Sequence, residues 1–190
     1  ASANDNKIAW YENDGSQAFS AHTISDTAIA AQCVYAADVD NDGDMDILSA
    51  SADDHEIAWY ENDGYGNFTS YIVSASAIGA SDVFAIDIDQ DGDTDLLSAF
   101  SGGNEVSWYE NDGAAGFTEH DVSNAATGDA SSVFAVDIDG DSDIDILSAS
   151  ATNNNILWYE NDGAENFTLQ SISDMAQGAT SLFLTYFNGY

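Results

Sequence analysis

The sequence predicts an all-β fold, and three observations carry the prediction. The segment Trp-Tyr-Glu-Asn-Asp-Gly occurs four times, starting at Trp10, Trp59, Trp108 and Trp158, with spacings of 49, 49 and 50 residues. Short apolar or alternating runs fill each interval and are punctuated by Gly, Asn and Asp, since the chain has no proline. Asp38, Asp87 and Asp137 open three similar nine-residue aspartate loops at nearly the same period. A fixed period near 50 signals a propeller or an array of repeats.

Each repeat reads as four strands. The first is Val83-Phe84-Ala85-Ile86-Asp87-Ile88 and its copies, followed by the aspartate loop. The second is Asp95-Leu96-Leu97-Ser98-Ala99. Both are nearly continuous apolar runs, as expected of strands covered on two faces. The third, Val106-Ser107-Trp108-Tyr109-Glu110, runs into Asn111-Asp112-Gly113, a hairpin turn signal. The fourth is Phe117-Thr118-Glu119-His120-Asp121-Val122. Strands three and four alternate more and are expected nearer solvent. Four antiparallel strands per repeat describe a propeller blade. The expected fold is a single β-propeller domain over residues 1–190 with about four blades. Its repeats fall approximately at 1–32 (partial), 33–80, 81–130, 131–180 and 181–190 (partial).

The ends set the expected closure. Ala1-Ser2-Ala3 aligns with the end of a strand two, and Ser181-Leu182-Phe183 aligns with Ser132-Val133-Phe134 of a strand one. A fourth blade would then be closed from both termini. Its last strand departs from its siblings, with Tyr186, Asn188 and Tyr190 where loop acids would stand.

The charge balance excludes some partners. There are 35 acidic residues against one base, Lys7, for a formal net charge of -34. Such a chain repels nucleic-acid phosphates and anionic membranes. No apolar run approaches the roughly 18 residues that span a bilayer, so membrane insertion is not expected. Hydrophobic residues make up 44%, too many for an acidic disordered tail. Cys33 is the one cysteine, which precludes an intrachain disulfide; it reads as a buried small apolar residue.

The loops carry the chemistry. In Asp38-Val39-Asp40-Asn41-Asp42-Gly43-Asp44-Met45-Asp46, oxygens at positions one, three and five converge on one point if the chain curls tightly. Glycine at position six permits the curl because it tolerates positive φ. Position seven adds a backbone carbonyl and position nine a further carboxylate. Six to eight hard oxygens in flexible geometry suit Ca²⁺ better than Mg²⁺, which holds its waters, or Zn²⁺, which takes His or Cys. The third loop has Gly140 at position four and Ser142 at position six, and is expected to bind most weakly.

Asp-x-Asp-x-Asp-Gly-x-x-Asp loops between two apolar strands resemble the FG-GAP/VCBS repeats of integrin α-subunit propellers and bacterial surface proteins. The resemblance covers nearly the whole chain. It implies structural Ca²⁺ held between the first two strands of each blade. The implied ligands are Asp38, Asp40, Asp42, Asp44 (carbonyl) and Asp46; Asp87, Asp89, Asp91, Asp93 (carbonyl) and Asp95; and Asp137, Asp139, Asp141, Asp143 (carbonyl) and Asp145. Family members usually have six to eight blades.

No catalytic group stands outside the repeat. Glu12, Glu61, Glu110 and Glu160 recur in every unit, and His22 and His120 share a position with Tyr71 and Gln170. A non-enzymatic protein is expected, and a catalytic propeller such as a polysaccharide lyase is the least favoured class. Trp and Tyr of the repeated segment read as inter-blade packing rather than a sugar-stacking platform. Asn67-Phe68-Thr69 and Asn166-Phe167-Thr168 are formal glycosylation sequons, although Phe and the hydroxyl belong to the repeat. Variable loops such as Asp53-Asp54-His55, Gly102-Gly103-Asn104 and Asn153-Asn154-Asn155 fall on the face opposite the acidic loops, where ligand recognition is expected. The expected function is a Ca²⁺-stabilised adhesion or assembly scaffold, extracellular or at the cell surface, where Ca²⁺ is abundant. Its partners would be further copies of itself in an oligomer or filament built by strand addition, a glycan, or a surface protein. The alternative is a carbohydrate-binding module attached to a secreted polysaccharide-degrading enzyme.

Overall fold

The computed structural model describes residues 1–102, 106–123 and 129–184. Among these there are strands and turns but no helix, and so none long and apolar enough to cross a membrane. Within the described residues, fourteen strands form four antiparallel sheets in chain order. A half-sheet pairs β1 (Ile8–Asn13) with β2 (Phe19–Ser25). The first full sheet holds β3 (Ala31–Ala37), β4 (Asp46–Ser51), β5 (Glu56–Asn62) and β6 (Phe68–Ser74). The second holds β7 (Ala80–Ile86), β8 (Asp95–Phe100), β9 (Val106–Asn111) and β10 (Phe117–Asp121). The third holds β11 (Ser132–Val136), β12 (Asp145–Ser150), β13 (Asn155–Asn161) and β14 (Phe167–Ser173).

Every full sheet is an up-and-down meander with one register. Trp59 faces Leu48 and Tyr71 in the ladder, Trp108 faces Leu97 and His120, and Trp158 faces Leu147 and Gln170. The central pair of strands is the most buried: β8 and β12 are buried throughout, and β9 nearly so. The expectation that third strands lie nearer solvent is therefore corrected. They sit inside the sheet and are covered on both faces, whereas the first and fourth strands form its edges. The turn after each third strand is also wider than a two-residue hairpin. Asn62 and Phe68 form the last pair, and Asp63 closes the turn by accepting from Tyr65 N and Asn67 N.

Core packing lies between sheets, not within them. Ile8 and Tyr60 belong to one apolar cluster, Trp59 and Tyr109 to the next, and Trp108 and Tyr159 to the third. The rings of Tyr35, Phe84 and Phe134 on the first strands follow one another at 5.0 Å. Ser132 Oγ and Val133 N both donate to Asp82, at 2.8 and 3.0 Å, and so fasten the third sheet to the second at their first strands.

The closing strand expected at Ser181-Leu182-Phe183 is not formed: residues 181–184 carry no strand. A first strand pairs only with a second strand, as β11 does with β12, and the half-sheet has no second strand to offer. Ser2 makes a single bridge to Lys7 instead. Tyr186, Asn188 and Tyr190 lie outside the described residues.

Candidate metal centres

The ninth acid of each loop is the anchor. Asp46, Asp95 and Asp145 open the second strands and are buried. Asp46 Oδ2 accepts from Val39 N at 3.2 Å and Trp59 Nε1 at 2.9 Å, and Oδ1 accepts from Asn62 N at 2.7 Å. Asp95 accepts from Ile88 N and Asn111 N at 2.9 and 2.8 Å, and Asp145 from Ile138 N and Asn161 N at 3.0 and 2.8 Å. One carboxylate thus ties the start of its loop to the end of the third strand. The Asn of Trp-Tyr-Glu-Asn completes the tie. Asn62, Asn111 and Asn161 donate side-chain N–H groups to Met45 O, Thr94 O and Ile144 O, and Asn111 also reaches Val39 O of the preceding sheet at 3.1 Å. The sequence marked these asparagines only as turn residues. Their recurrence was the available signal for this second role.

The remaining acids curl the loop onto itself. Position one accepts from the N–H of position six: Asp38 from Gly43 at 3.0 Å, and Asp87 and Asp137 from Gly92 and Ser142 at 3.1 Å. Position three accepts from position five, and position five from position seven, in all three loops. In the first two loops the bond to position one uses Oδ2 and leaves Oδ1 without one. Asp38 Oδ1 and Asp87 Oδ1 are buried with no hydrogen-bond donor. A buried charged oxygen without a partner is costly unless a cation meets it.

Carboxylate oxygens of Asp38, Asp40 and Asp42, of Asp87, Asp89 and Asp95, and of Asp137, Asp139 and Asp145 lie within 4.8 Å of one another in three groups. These could each hold a metal ion, and the all-oxygen donor set fits a hard cation. Positions one and three join every group; position five completes the first, and position nine the second and third. The carboxylates of Asp44, Asp93 and Asp143 turn away and lie against Gly64, Gly113 and Gly163 of the hairpin turns. Side chains at position seven are therefore outside the groups, leaving the backbone carbonyl as the expected donor. The contacts also place the loops and Asn-Asp-Gly turns on one acidic face.

Loop three differs for a legible reason. Ser142 has φ 83°, where Gly43 and Gly92 have 95° and 100°. The glycine has moved to position four, where Gly140 has φ 86° and Asn41 and Gln90 have 60° and 64°. Gly140 N donates to Asp137 Oδ1 at 2.7 Å, so this oxygen has the donor that its counterparts on Asp38 and Asp87 lack. Replacing Ser142 with glycine should raise stability by about 0.5–1 kcal/mol, the left-handed strain relieved less the added freedom of the unfolded chain. Urea unfolding midpoints measure this, and a lower midpoint would count against the assigned strain.

Burial sets the acid-base behaviour. It pushes Asp95 up to about 6 against the pull of the Asn111 and Ile88 N–H groups, and it raises Asp40, Asp46 and Asp89 as well. A raised carboxyl means that the folded state binds the proton more tightly than the unfolded state, whose aspartates titrate near about 3.9. In metal-free protein, the stability linked to Asp95 is full below pH about 4 and is lost as pH rises through about 6. A bound cation requires the ionised form and reverses the slope. Urea midpoints between pH 4.5 and 7 should fall with pH in chelator and rise with pH in excess divalent cation.

The repeated glutamates Glu12, Glu110 and Glu160 are held by the residue opposite the neighbouring Trp. His22 Nε2 lies 3.1 Å from Glu12 and His120 Nε2 lies 2.8 Å from Glu110, while Gln170 donates to Glu160 at 3.2 Å. His22, Tyr71 and His120 stack on Trp10, Trp59 and Trp108 at 4.3–4.9 Å. Covering a Trp while reaching a Glu explains why His, Tyr and Gln share this position. The sequon amides are similarly occupied. Asn67 donates to Asp63 at 2.7 Å and Asn166 to Asp162 at 3.0 Å, each inside its own turn.

Serial four-stranded sheets, each with an acidic loop between its first two strands, define a class of β-repeat proteins. A profile of the FG-GAP-like repeat matches residues 1–49, 38–98 and 87–148, and the chain belongs to that family. Comparison with curated proteins gives no significant match. Among solved structures, the fold is similar to that of an Agrocybe aegerita lectin described for its specific recognition of non-reducing terminal N-acetylglucosamine, with a TM-score of 0.60 and 22% identity. The similarity covers 92% of this chain but 48% of the lectin chain, so the chain spans about half the lectin's length.

Proposed function

We propose that this chain is an arc of a calcium-stabilised β-propeller that acts outside the cell or at its surface as a non-enzymatic scaffold for adhesion and assembly. The buried, donorless oxygens of Asp38 and Asp87, on loops already curled by their own backbone, carry this reading. A loop organised before the ion arrives favours a cation that accepts many oxygens in flexible geometry, which is Ca²⁺ rather than Mg²⁺. Extracellular modules bind Ca²⁺ at about 10⁻⁴–10⁻³ M, concentrations met outside cells. Self-association in this reading uses the edge of β1, which among the described residues pairs only with β2. Isothermal titration of chelated, dialysed protein should give saturable heat with Ca²⁺ at two to three sites and far weaker heat with Mg²⁺. No saturable Ca²⁺ binding sinks the proposal.

A second reading, carbohydrate binding, is favoured by the similarity to a lectin. Asp54 and Asn154 on the face opposite the loops are poor candidates for it. Asp54 accepts from Ile29 N at 2.7 Å and Asn154 from Gly178 N at 3.2 Å, so both pin neighbouring backbone. Exposed Tyr11 and Tyr65 remain available for stacking on a sugar. A glycan array probed in Ca²⁺ separates the readings, and specific binding lost on Tyr65→Ala or Tyr11→Ala would favour the second.

A further inference from the structure

The contact between successive sheets repeats one pattern of donor and acceptor faces. The donor face offers a Tyr from the third strand and a Phe from the fourth; the acceptor face is built around the Trp of the preceding sheet. Phe117 meets Trp59 edge-on at 6.2 Å, and Phe167 meets Trp108 at 6.5 Å. Tyr60, Tyr109 and Tyr159 are 4%, 1% and 1% exposed within these contacts.

The same residues stand open at the two ends of the arc. In the half-sheet, Tyr11 and Phe19 occupy the donor positions, with Phe19 paired to Asn13 as Phe68 is to Asn62, yet they are 65% and 64% exposed. In the third full sheet, Trp158, Ile156 and Ile138 occupy acceptor positions and are only half-buried. Their counterparts Trp59, Trp108, Ile57, Val106, Val39 and Ile88 are at most 2% exposed. Among the described residues, one molecule therefore carries an unfilled donor face and an unfilled acceptor face of a contact it already makes internally.

We propose that a second copy of this chain docks head-to-tail, with Phe19 and Tyr11 of each copy packed on Trp158 and Ile156 of the other. The proposal rests on the propeller-arc reading, because it reuses the contact between successive sheets. A head-to-tail contact closes into a ring or runs on as a filament. The net charge of -34 per copy opposes association, so the pair should require divalent cation or salt.

Multi-angle light scattering of the chain in Ca²⁺ should give at least twice its 20.1 kDa mass at high concentration. Phe19→Asp, on an exposed side chain, should leave the fold intact and give monomer. Trp158→Ala should also give monomer, and an equimolar mixture of the two variants should regain a pair. One variant keeps its acceptor face and the other its donor face, which only a head-to-tail contact can exploit. Since Trp158→Ala also removes packing within its own sheet, fluorine NMR of 5-fluorotryptophan protein supplies a second measurement. The Trp158 resonance should move with concentration in the unaltered chain and stay fixed in Phe19→Asp. A monomer at every concentration overturns the proposal, as does an oligomer that Phe19→Asp leaves intact. Ca²⁺ binding is read separately by titration heat, so loss of the calcium reading and loss of the docking contact are told apart.

Discussion

Chelating divalent cations at low ionic strength should lower the melting temperature by roughly 15–30 °C. At free Ca²⁺ about 100 times the dissociation constant, each site adds about 2.7 kcal/mol, and three sites about 8 kcal/mol. For a chain of this size, each kcal/mol moves the midpoint by about 2–4 °C. The cause is visible in the loops. Asp38, Asp40 and Asp42 bring carboxylate oxygens within 4.8 Å of one another, and Asp38 Oδ1 has no donor. Without a cation the like charges repel in a partly desolvated curl. Differential scanning calorimetry in EDTA, then in restored Ca²⁺, measures the effect. Molar salt should recover part of the loss because it screens the loops, with a Debye length of about 3 Å at 1 M. An unchanged melting temperature in EDTA would contradict the stabilising role of the loops.

Replacing Asp95 with alanine should cost about 3–5 kcal/mol even in saturating Ca²⁺. Asp95 is fully buried, and its removal leaves Ile88 N and Asn111 N without their acceptor. Each stranded buried donor costs about 1–3 kcal/mol, and the lost carboxylate also leaves a void. Asp93→Ala is the control. Its carboxylate lies against Gly113 and outside the metal-holding group, so the change should cost less than about 1 kcal/mol. Urea unfolding of the two variants compares them directly. Equal losses would remove the distinction between an anchor acid and a peripheral one. Asp95→Asn adds a sharper contrast: it should soften the penalty of metal-free folding while abolishing most of loop two's share of the gain from Ca²⁺, because it removes the charge that burial disfavours.

The repeat was legible because period is a property of sequence. Trp10, Trp59, Trp108 and Trp158 located the third strands, and the aspartate loops located the joins between first and second strands. The grouping of positions one and three in every loop was also readable, since a tight curl places alternate side chains on one side. Three features were not. Asn111 reaches Val39 of another sheet, and no local pattern reports a partner 72 residues away. Gly140 looked like a displaced glycine that merely weakens its loop; only backbone angles reveal that position four also takes positive φ, so the exchange with Ser142 moves strain rather than simply adding it. The unformed strand at 181–184 shows the limit of alignment. Ser181-Leu182-Phe183 has the pattern of a first strand, but a strand exists only where another strand accepts its hydrogen bonds, and among the described residues no second strand stands there.

The fourth positions of the loops also reach forward. Asn41 donates to Gly92 O at 3.2 Å, and Gln90 donates to Ser142 O at 2.7 Å. Each grips the peptide that follows position six of the next loop, the very corner on which that loop turns. Mechanically, the acidic face is a row of linked hooks: no loop after the first uncurls without releasing its predecessor. Gly140 has no side chain with which to extend the row, so the row is polar, with loop one holding and loop three only held.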